Sequence, residues 1–267
     1  MTLNYSVVFE FERQYDDHTF WEWMKENWTL CYVYSAVYVV LIFGGKWVMA
    51  RRPRYDLRPY LALWSAMLAI FSICGSLRMW TELIYSVTNY SLQYAMCVPS
   101  YYTREVAGFW SFLFVVSKVV ELGDTVFIVL RKTPLIFLHW YHHITVLIYV
   151  WATYTEHAAS GRMFCTMNYT VHSFMYTYYA LRALRYNIPK WVNIMITLMQ
   201  LLQMVIGVVI NIWVYQIKSR GEPCQQSWDN LKYAFLMYFS YFVLFANFFY
   251  NAYLKKPLHH HEQKKQH

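Results

Sequence analysis

Charge is what this chain has least of. Only 14% of its 267 residues are Asp, Glu, Lys or Arg, against about 25% in a soluble domain, which excludes an ordinary cytosolic enzyme. There is no glycine-rich nucleotide loop and no serine nucleophile elbow, so a phosphate-bearing ligand would have to be held by Arg and Lys side chains, and serine acyl transfer is not offered. No internal repeat, low-complexity block or interdomain seam interrupts residues 1–267. The first 29 residues are acidic and lack an apolar core, so they do not read as a cleavable signal peptide.

What the chain has in excess is apolar surface. Hydrophobic residues make up 58% and gather in runs of about twenty, the length a helix needs to cross a bilayer. Seven such stretches run from about Leu30 to Ala50, Tyr60 to Trp80, Gly108 to Leu130, Leu135 to Tyr154, Arg162 to Leu184, Trp191 to Ile217 and Leu231 to Leu254. The expectation is an all-α polytopic membrane protein, a single domain with an N-terminal segment (1–29), a seven-helix bundle (30–254) and a short tail (255–267).

The net charge of +8 suggests nucleic acid until its distribution is read. Lys and Arg concentrate in alternate segments: 46–58, Arg131 with Lys132, Arg182 with Arg185 and Lys190, and the tail from Lys255. The N-terminal segment and the other loops are acidic or neutral. Basic flanks stay cytoplasmic, so the N-terminus is expected to be lumenal and the C-terminus cytosolic, with no nucleic-acid partner. Cys97 and Cys224 fall in the lumenal loops, where they are either a disulfide or two free thiols. Cys31, Cys74 and Cys165 lie in or beside spans. Asn4, Asn27 and Asn89 open N-x-S/T acceptors on that side, and Asn4 is the one farthest from the membrane. Lys264 and Lys265, near the C-terminus, match a dilysine signal for retrieval to the endoplasmic reticulum.

Ionisable and polar residues within spans are costly and by default functional. The third span carries Lys118, Glu121 and Asp124, and the fourth carries His139, His142 and His143 on one helical face. The fifth carries Asn168 and His172, continuing into Tyr176 and Tyr179, and the sixth carries Gln200 and Gln203. Counted from the basic loops at about 1.5 Å per residue, these groups lie about 10–20 Å deep, one layer reachable from the cytosol. Each also has a structural reading: Lys118 and Glu121 as a self-neutralising ion pair, the glutamines as interhelical hydrogen bonding, and His139 as a satisfied core residue. Arg78, near the far end of its span, is expected to snorkel. Histidine suits proton transfer near neutral pH and is itself a nucleophile.

The strings KVVELGDT, HWYHH, NYTVHSFMYTYY and TLMQLLQ, in this order on successive spans, resemble the four signatures of the very-long-chain fatty acid elongases. These are the 3-oxoacyl-CoA synthases of the endoplasmic reticulum. The likeness covers essentially the whole chain, and Trp140 after His139 resembles the branch that extends saturated and monounsaturated chains of about twelve to sixteen carbons. The resemblance implies condensation of acyl-CoA with malonyl-CoA to 3-oxoacyl-CoA, CoA and carbon dioxide, by a ping-pong route, with no further cofactor or metal. Under it His142 attacks the thioester, His143 orients or deprotonates its neighbour, and the choice between the two as nucleophile stays open. Asn168 and His172 polarise carbonyl oxygens, Lys118, Glu121 and Asp124 fix geometry, and Gln200 and Gln203 line a cavity. Arg51, Arg52, Arg131, Lys132, Arg182 and Arg185 would hold the CoA phosphates, and an acyl tunnel would fill the lumenal half of the bundle. The reductase, dehydratase and enoyl reductase of the elongation cycle are the implied partners, with homo- or hetero-oligomers also open. Two other classes compete. A di-iron desaturase shares HxxHH but needs several histidine boxes, and a seven-span receptor or transporter shares the topology without requiring the clustered histidines.

Overall fold

Runs of apolar residues with few Gly or Pro leave the backbone no partner in a membrane but itself, and helices result. In a computed structural model, residues 5–255 are described and contain eleven α-helices and no strand. Asn4, Lys264 and Lys265 lie outside these residues. In chain order the helices are α1 (Glu10–Arg13), α2 (Asp17–Asn27), α3 (Leu30–Ala50), α4 (Arg58–Asn89), α5 (Leu92–Cys97), α6 (Glu105–Glu121), α7 (Asp124–Leu130), α8 (Phe137–Thr155), α9 (Gly161–Ala183), α10 (Lys190–Ser219) and α11 (Trp228–Phe249), the last running into a π-turn at Tyr250–Leu254. Starts are set by local chemistry. Asp16, Ser91 and Ser227 accept from the backbone amides of Thr19, Tyr94 and Asn230, and Pro59 stands in the first turn of α4, where its missing N–H costs nothing.

Among the described residues four helices are long and apolar enough to cross a membrane: α3, α4, α10, and α11 with its π-turn. The chain is a multi-pass membrane protein. Each of the other three expected stretches is also helical, with one interruption. The string KVVELGDT breaks at Leu122–Gly123, where amides of Leu122, Gly123, Thr125 and Val126 bond carbonyls three residues back instead of four. A Cβ on Gly123 would lie 2.7 Å from the Trp64 ring, so the break is also a place where α4 packs tightly. The second stretch is longer than its hydropathy predicts, with α4 continuing through Glu82 to Asn89. Burial explains the extension, because Glu82 is fully buried and ion-paired with Arg162 at 2.8 Å and Arg104 at 2.9 Å.

Packing closes a ring: α6 lies against α4, α4 against α9, α9 against α10, α10 against α11, α11 against α8, and α8 against α6, with α3 outside on α7 and α8. The ends of the ring differ. At the end away from the basic loops, the N-terminal segment folds over the bundle. Glu12 is fully buried there, accepting from Trp110 Nε1 at 2.7 Å and paired with Arg78 Nε at 3.0 Å. Arg78 is thus held by a buried carboxylate and the Val7 carbonyl, and only part of its side chain meets solvent. At the same end Cys97 and Cys224 form a disulfide.

Candidate active site

Inside the ring a cavity of about 740 Å³ takes wall from all six ring elements. Its outer part is basic, with Arg58, Arg131, Arg182 and Arg185, while its deep part is lined by Glu121, Asp124, His139, His142, His143, Asn168, His172, Gln200 and Gln203. Tyr176 and Tyr179 stand between the two. The helical spacing that put these groups on single faces in the sequence therefore aims those faces at one space. Arg51, Arg52 and Lys132 do not line it. Lys132 Nζ instead donates to Arg52 O at 3.0 Å, and Arg51 lies over the Trp47 ring, so the loop after α3 is tied back toward α7 and away from the mouth. Arg58, the first residue of α4, takes a place at the mouth that the sequence pattern alone did not assign.

The deep groups sort by how far their polar atoms are already used. Lys118 is 2% exposed and donates to Glu121 Oε1 at 2.6 Å and to Asn168 Oδ1 at 3.0 Å. An ammonium has only donors, so the second bond fixes the Asn168 amide with its Nδ2 toward His172 Nε2, 3.2 Å away. That nitrogen of His172 must then accept, and the proton sits on Nδ1, which faces Glu121 Oε1 at 3.8 Å. Nε2 of His172 is thus engaged, while Nδ1 only faces the Glu121 carboxylate across a gap longer than a hydrogen bond. His139 Nε2 meets Thr125 Oγ1 at 2.9 Å, and Tyr38 OH meets the same hydroxyl at 2.7 Å. Asp124 receives Trp64 Nε1 at 2.6 Å and Tyr176 OH at 2.7 Å, both neutral donors.

His142 and His143 differ from these. The His142 ring meets the rings of His143 and Tyr241 at 5.6 and 5.0 Å, and among the described residues neither of its nitrogens has a hydrogen-bond partner. Its backbone carbonyl accepts from Tyr241 OH at 3.3 Å, which ties this part of α8 to α11. His143 is buried against the His139 ring, with Nδ1 unpartnered among the described residues. His142 thus combines a place in the cavity wall with free nitrogens. Trp64, Thr125 and Tyr38 hold site residues in place, and of these only Thr125 stood within a recognised sequence string. Among the described residues no three His, Cys, Asp or Glu side chains converge as ligands of a metal ion.

The model of the GNS1/SUR4 (ELO) family matches residues 23–261. The chain belongs to this family. It is 52% identical over 257 residues to a Drosophila melanogaster protein called very long chain fatty acid elongase 6, covering 95% of this chain and 81% of the relative. It is 44% identical over 258 residues to the Homo sapiens elongase 6, covering 95% and 97%, and 40% identical over 247 residues to the Homo sapiens elongase 3, covering 92% and 90%. These identities agree with the branch that Trp140 and its neighbours resemble.

Proposed function

We propose that this ELO-family chain is the condensing enzyme of fatty acid elongation, joining an acyl-CoA with malonyl-CoA to give 3-oxoacyl-CoA, CoA and carbon dioxide. The observation that carries the reading is one cavity of about 740 Å³ with arginines at its mouth and a histidine with free ring nitrogens in its deep wall. Its acyl substrate is saturated or monounsaturated, of about twelve to sixteen carbons, by analogy with the branch. The enzyme sits in the endoplasmic reticulum membrane with seven spans, N-terminus lumenal and C-terminus cytosolic, so that the basic mouth meets cytosolic CoA. The four long apolar helices carry the lipid contact, and α6 with α7, α8 and α9 complete the count as polar spans around the site.

Arg58, Arg131, Arg182 and Arg185 suit the CoA phosphates, because a guanidinium offers paired donors to phosphate oxygens and stays charged. In the first half-reaction the unprotonated nitrogen of His142 attacks the thioester carbonyl carbon. The C–S bond breaks, the other imidazole proton passes to the departing thiolate, and CoA leaves with an acyl-imidazole behind it. In the second, malonyl-CoA loses carbon dioxide, and the resulting enolate carbon attacks the acyl carbonyl. The C–N bond breaks, and the imidazole recovers a proton from solvent. Asn168 has a second amide N–H to offer the carbonyl oxygen, and Lys118 with Glu121 holds Asn168 and His172 in register. Asp124 positions Tyr176, while Gln200 and Gln203 shape the wall.

The test is incubation of the purified chain with palmitoyl-CoA and labelled malonyl-CoA, read by mass spectrometry. Labelled 3-oxoacyl-CoA is the expected product. No such product from any saturated acyl-CoA between about twelve and sixteen carbons would contradict the reading.

A further inference from the structure

Beyond the deep wall of the cavity the same helices enclose a second, small void of about 40 Å³. The two spaces share a partition. Phe114, which lines the void, lies under Lys118 Nζ at 4.3 Å, and Lys118 bonds Asn168, which lines the cavity. Void-lining positions on α8 run from Tyr149 to Tyr154, which at about 1.5 Å per residue is about 10 to 18 Å along the helix from His142. Half of a bilayer's hydrocarbon core, the depth one lipid tail fills, is about 15 Å. The void therefore stands where the far end of a long acyl group would come if its carbonyl were at His142.

Its walls and floor are built differently. The floor is Tyr101, Tyr102 and Tyr154, each 3% exposed or less. Tyr101 OH donates to Ala158 O at 3.2 Å and Tyr154 OH meets Tyr15 OH of the N-terminal segment at 2.9 Å. Gly161 makes room for the floor, since a Cβ there would lie 2.5 Å from the Tyr101 hydroxyl. The side walls include Ser111 and Cys165, both buried and both small. Ser111 Oγ donates to Ala107 O of its own helix at 2.7 Å and also lies 3.8 Å from Met79 Sδ, and Cys165 is a free thiol. Neither takes part in the hydrogen-bonded set around His142.

We propose that Tyr101, Tyr102 and Tyr154 are the stop of the acyl site, and that Ser111 and Cys165, by being small just before it, set the longest acyl chain accepted. This rests on the condensing-enzyme reading above. A branched side chain at either wall position removes the last free space and brings the stop closer to His142. Trimming a wall residue has the opposite sense, and Val115, 5% exposed and facing the void, is the position for it.

The experiment measures kcat/KM of the full-length chain for a ladder of saturated acyl-CoAs, from short to longer than palmitoyl, with malonyl-CoA. In Cys165→Leu and in Ser111→Leu the longest accepted chain shortens by two carbons or more, so the ratio of palmitoyl-CoA to lauroyl-CoA falls about tenfold, the order of one or two methylenes misplaced against a pocket wall. In Val115→Ala the profile extends to longer chains, which keeps the test alive if the filled variants fail to fold. Cys74→Leu, at an exposed position on α4, keeps the parent profile. Length profiles in all three wall variants that run parallel to the parent would overturn the proposal. Thermal stabilisation by non-cleavable acyl-CoA thioethers of the same lengths reads the stop without turnover. A length cutoff in binding with no condensation would fault the reaction reading alone, and no cutoff with condensation intact would fault the stop alone.

Discussion

Replacing Lys118 with methionine removes the one cation next to Glu121. The carboxylate is 3% exposed; among the described residues its Oε2 has no hydrogen-bond partner, and Oε1 would keep only Ser117 Oγ at 3.3 Å and the more distant His172 Nδ1. Breaking a buried ion pair from one side costs about 3–5 kcal/mol. The two remaining contacts to Glu121 place Lys118→Met at the lower end, about 3 kcal/mol. Removing both charges, as in Lys118→Met with Glu121→Leu, leaves no orphaned carboxylate, and the double variant recovers most of that loss. Activity behaves otherwise. Without Lys118 nothing fixes the Asn168 amide, so the nitrogen that faces His172 is no longer set and its tautomer is released. Turnover then falls in the single and the double variant alike, by an order of magnitude or more. Thermal unfolding in detergent, run beside turnover on the same preparations, reads both arms. A double variant no more stable than Lys118→Met would refute the buried-charge argument, and a double variant with restored turnover would refute the role given to Lys118 in orienting Asn168.

Other perturbations follow from single contacts. The Cys97–Cys224 disulfide closes a sequence separation of 127 residues, so reduction or Cys97→Ser costs about 2–4 kcal/mol, read as a lower unfolding temperature under reductant and no change in a variant already lacking the pair. Arg131→Ala and Arg182→Ala each remove a guanidinium at the mouth; loss of a charged hydrogen bond of about 1.5–3 kcal/mol raises KM for acyl-CoA about tenfold or more, with weaker salt dependence than the parent. Gly123→Val drives a side chain into the Trp64 ring, which is within 2.7–2.9 Å of the Cβ position, and separates Trp64 Nε1 from Asp124. Turnover drops and Trp fluorescence shifts, whereas Gly44→Ala, with open space around it, leaves both unchanged.

Much of this was legible in the sequence because membranes simplify the code. Hydropathy and the alternating basic loops located the helical stretches, and the i, i+3 and i+4 spacings of His139, His142 and His143 and of Asn168 and His172 placed their side chains on common faces. Depth arithmetic then put those faces at one level. What the pattern did not reveal depends on contacts between distant segments. The Arg162–Glu82–Arg104 cluster carries α4 past the expected end of its apolar run, and no local signal marks it. Arg78 looked like a residue reaching for water because its partner, Glu12, lies 66 positions away in a segment with no hydrophobic period. Likewise Arg51, Arg52 and Lys132 share the charge of the mouth residues, but Arg51 lies over Trp47 and Lys132, just after α7, spends its ammonium on the Arg52 carbonyl. The break at Gly123 falls inside a stretch read as one continuous span from Gly108 to Leu130, because a glycine in an apolar run gives no local sign of whether it marks a close approach or an interruption, and here it is both.

The central claim, that an acyl group is carried by His142 between two half-reactions, meets its most direct test in a single incubation of the purified chain with palmitoyl-CoA and no malonyl-CoA. Mass spectrometry of the quenched protein and of its peptides should show one palmitoyl group per chain, mapped to His142, with CoA released in equal amount. Addition of malonyl-CoA should then discharge that adduct as 3-oxostearoyl-CoA. Condensation that proceeds with no adduct on His142, or with equal rate in His142→Ala, would contradict the account.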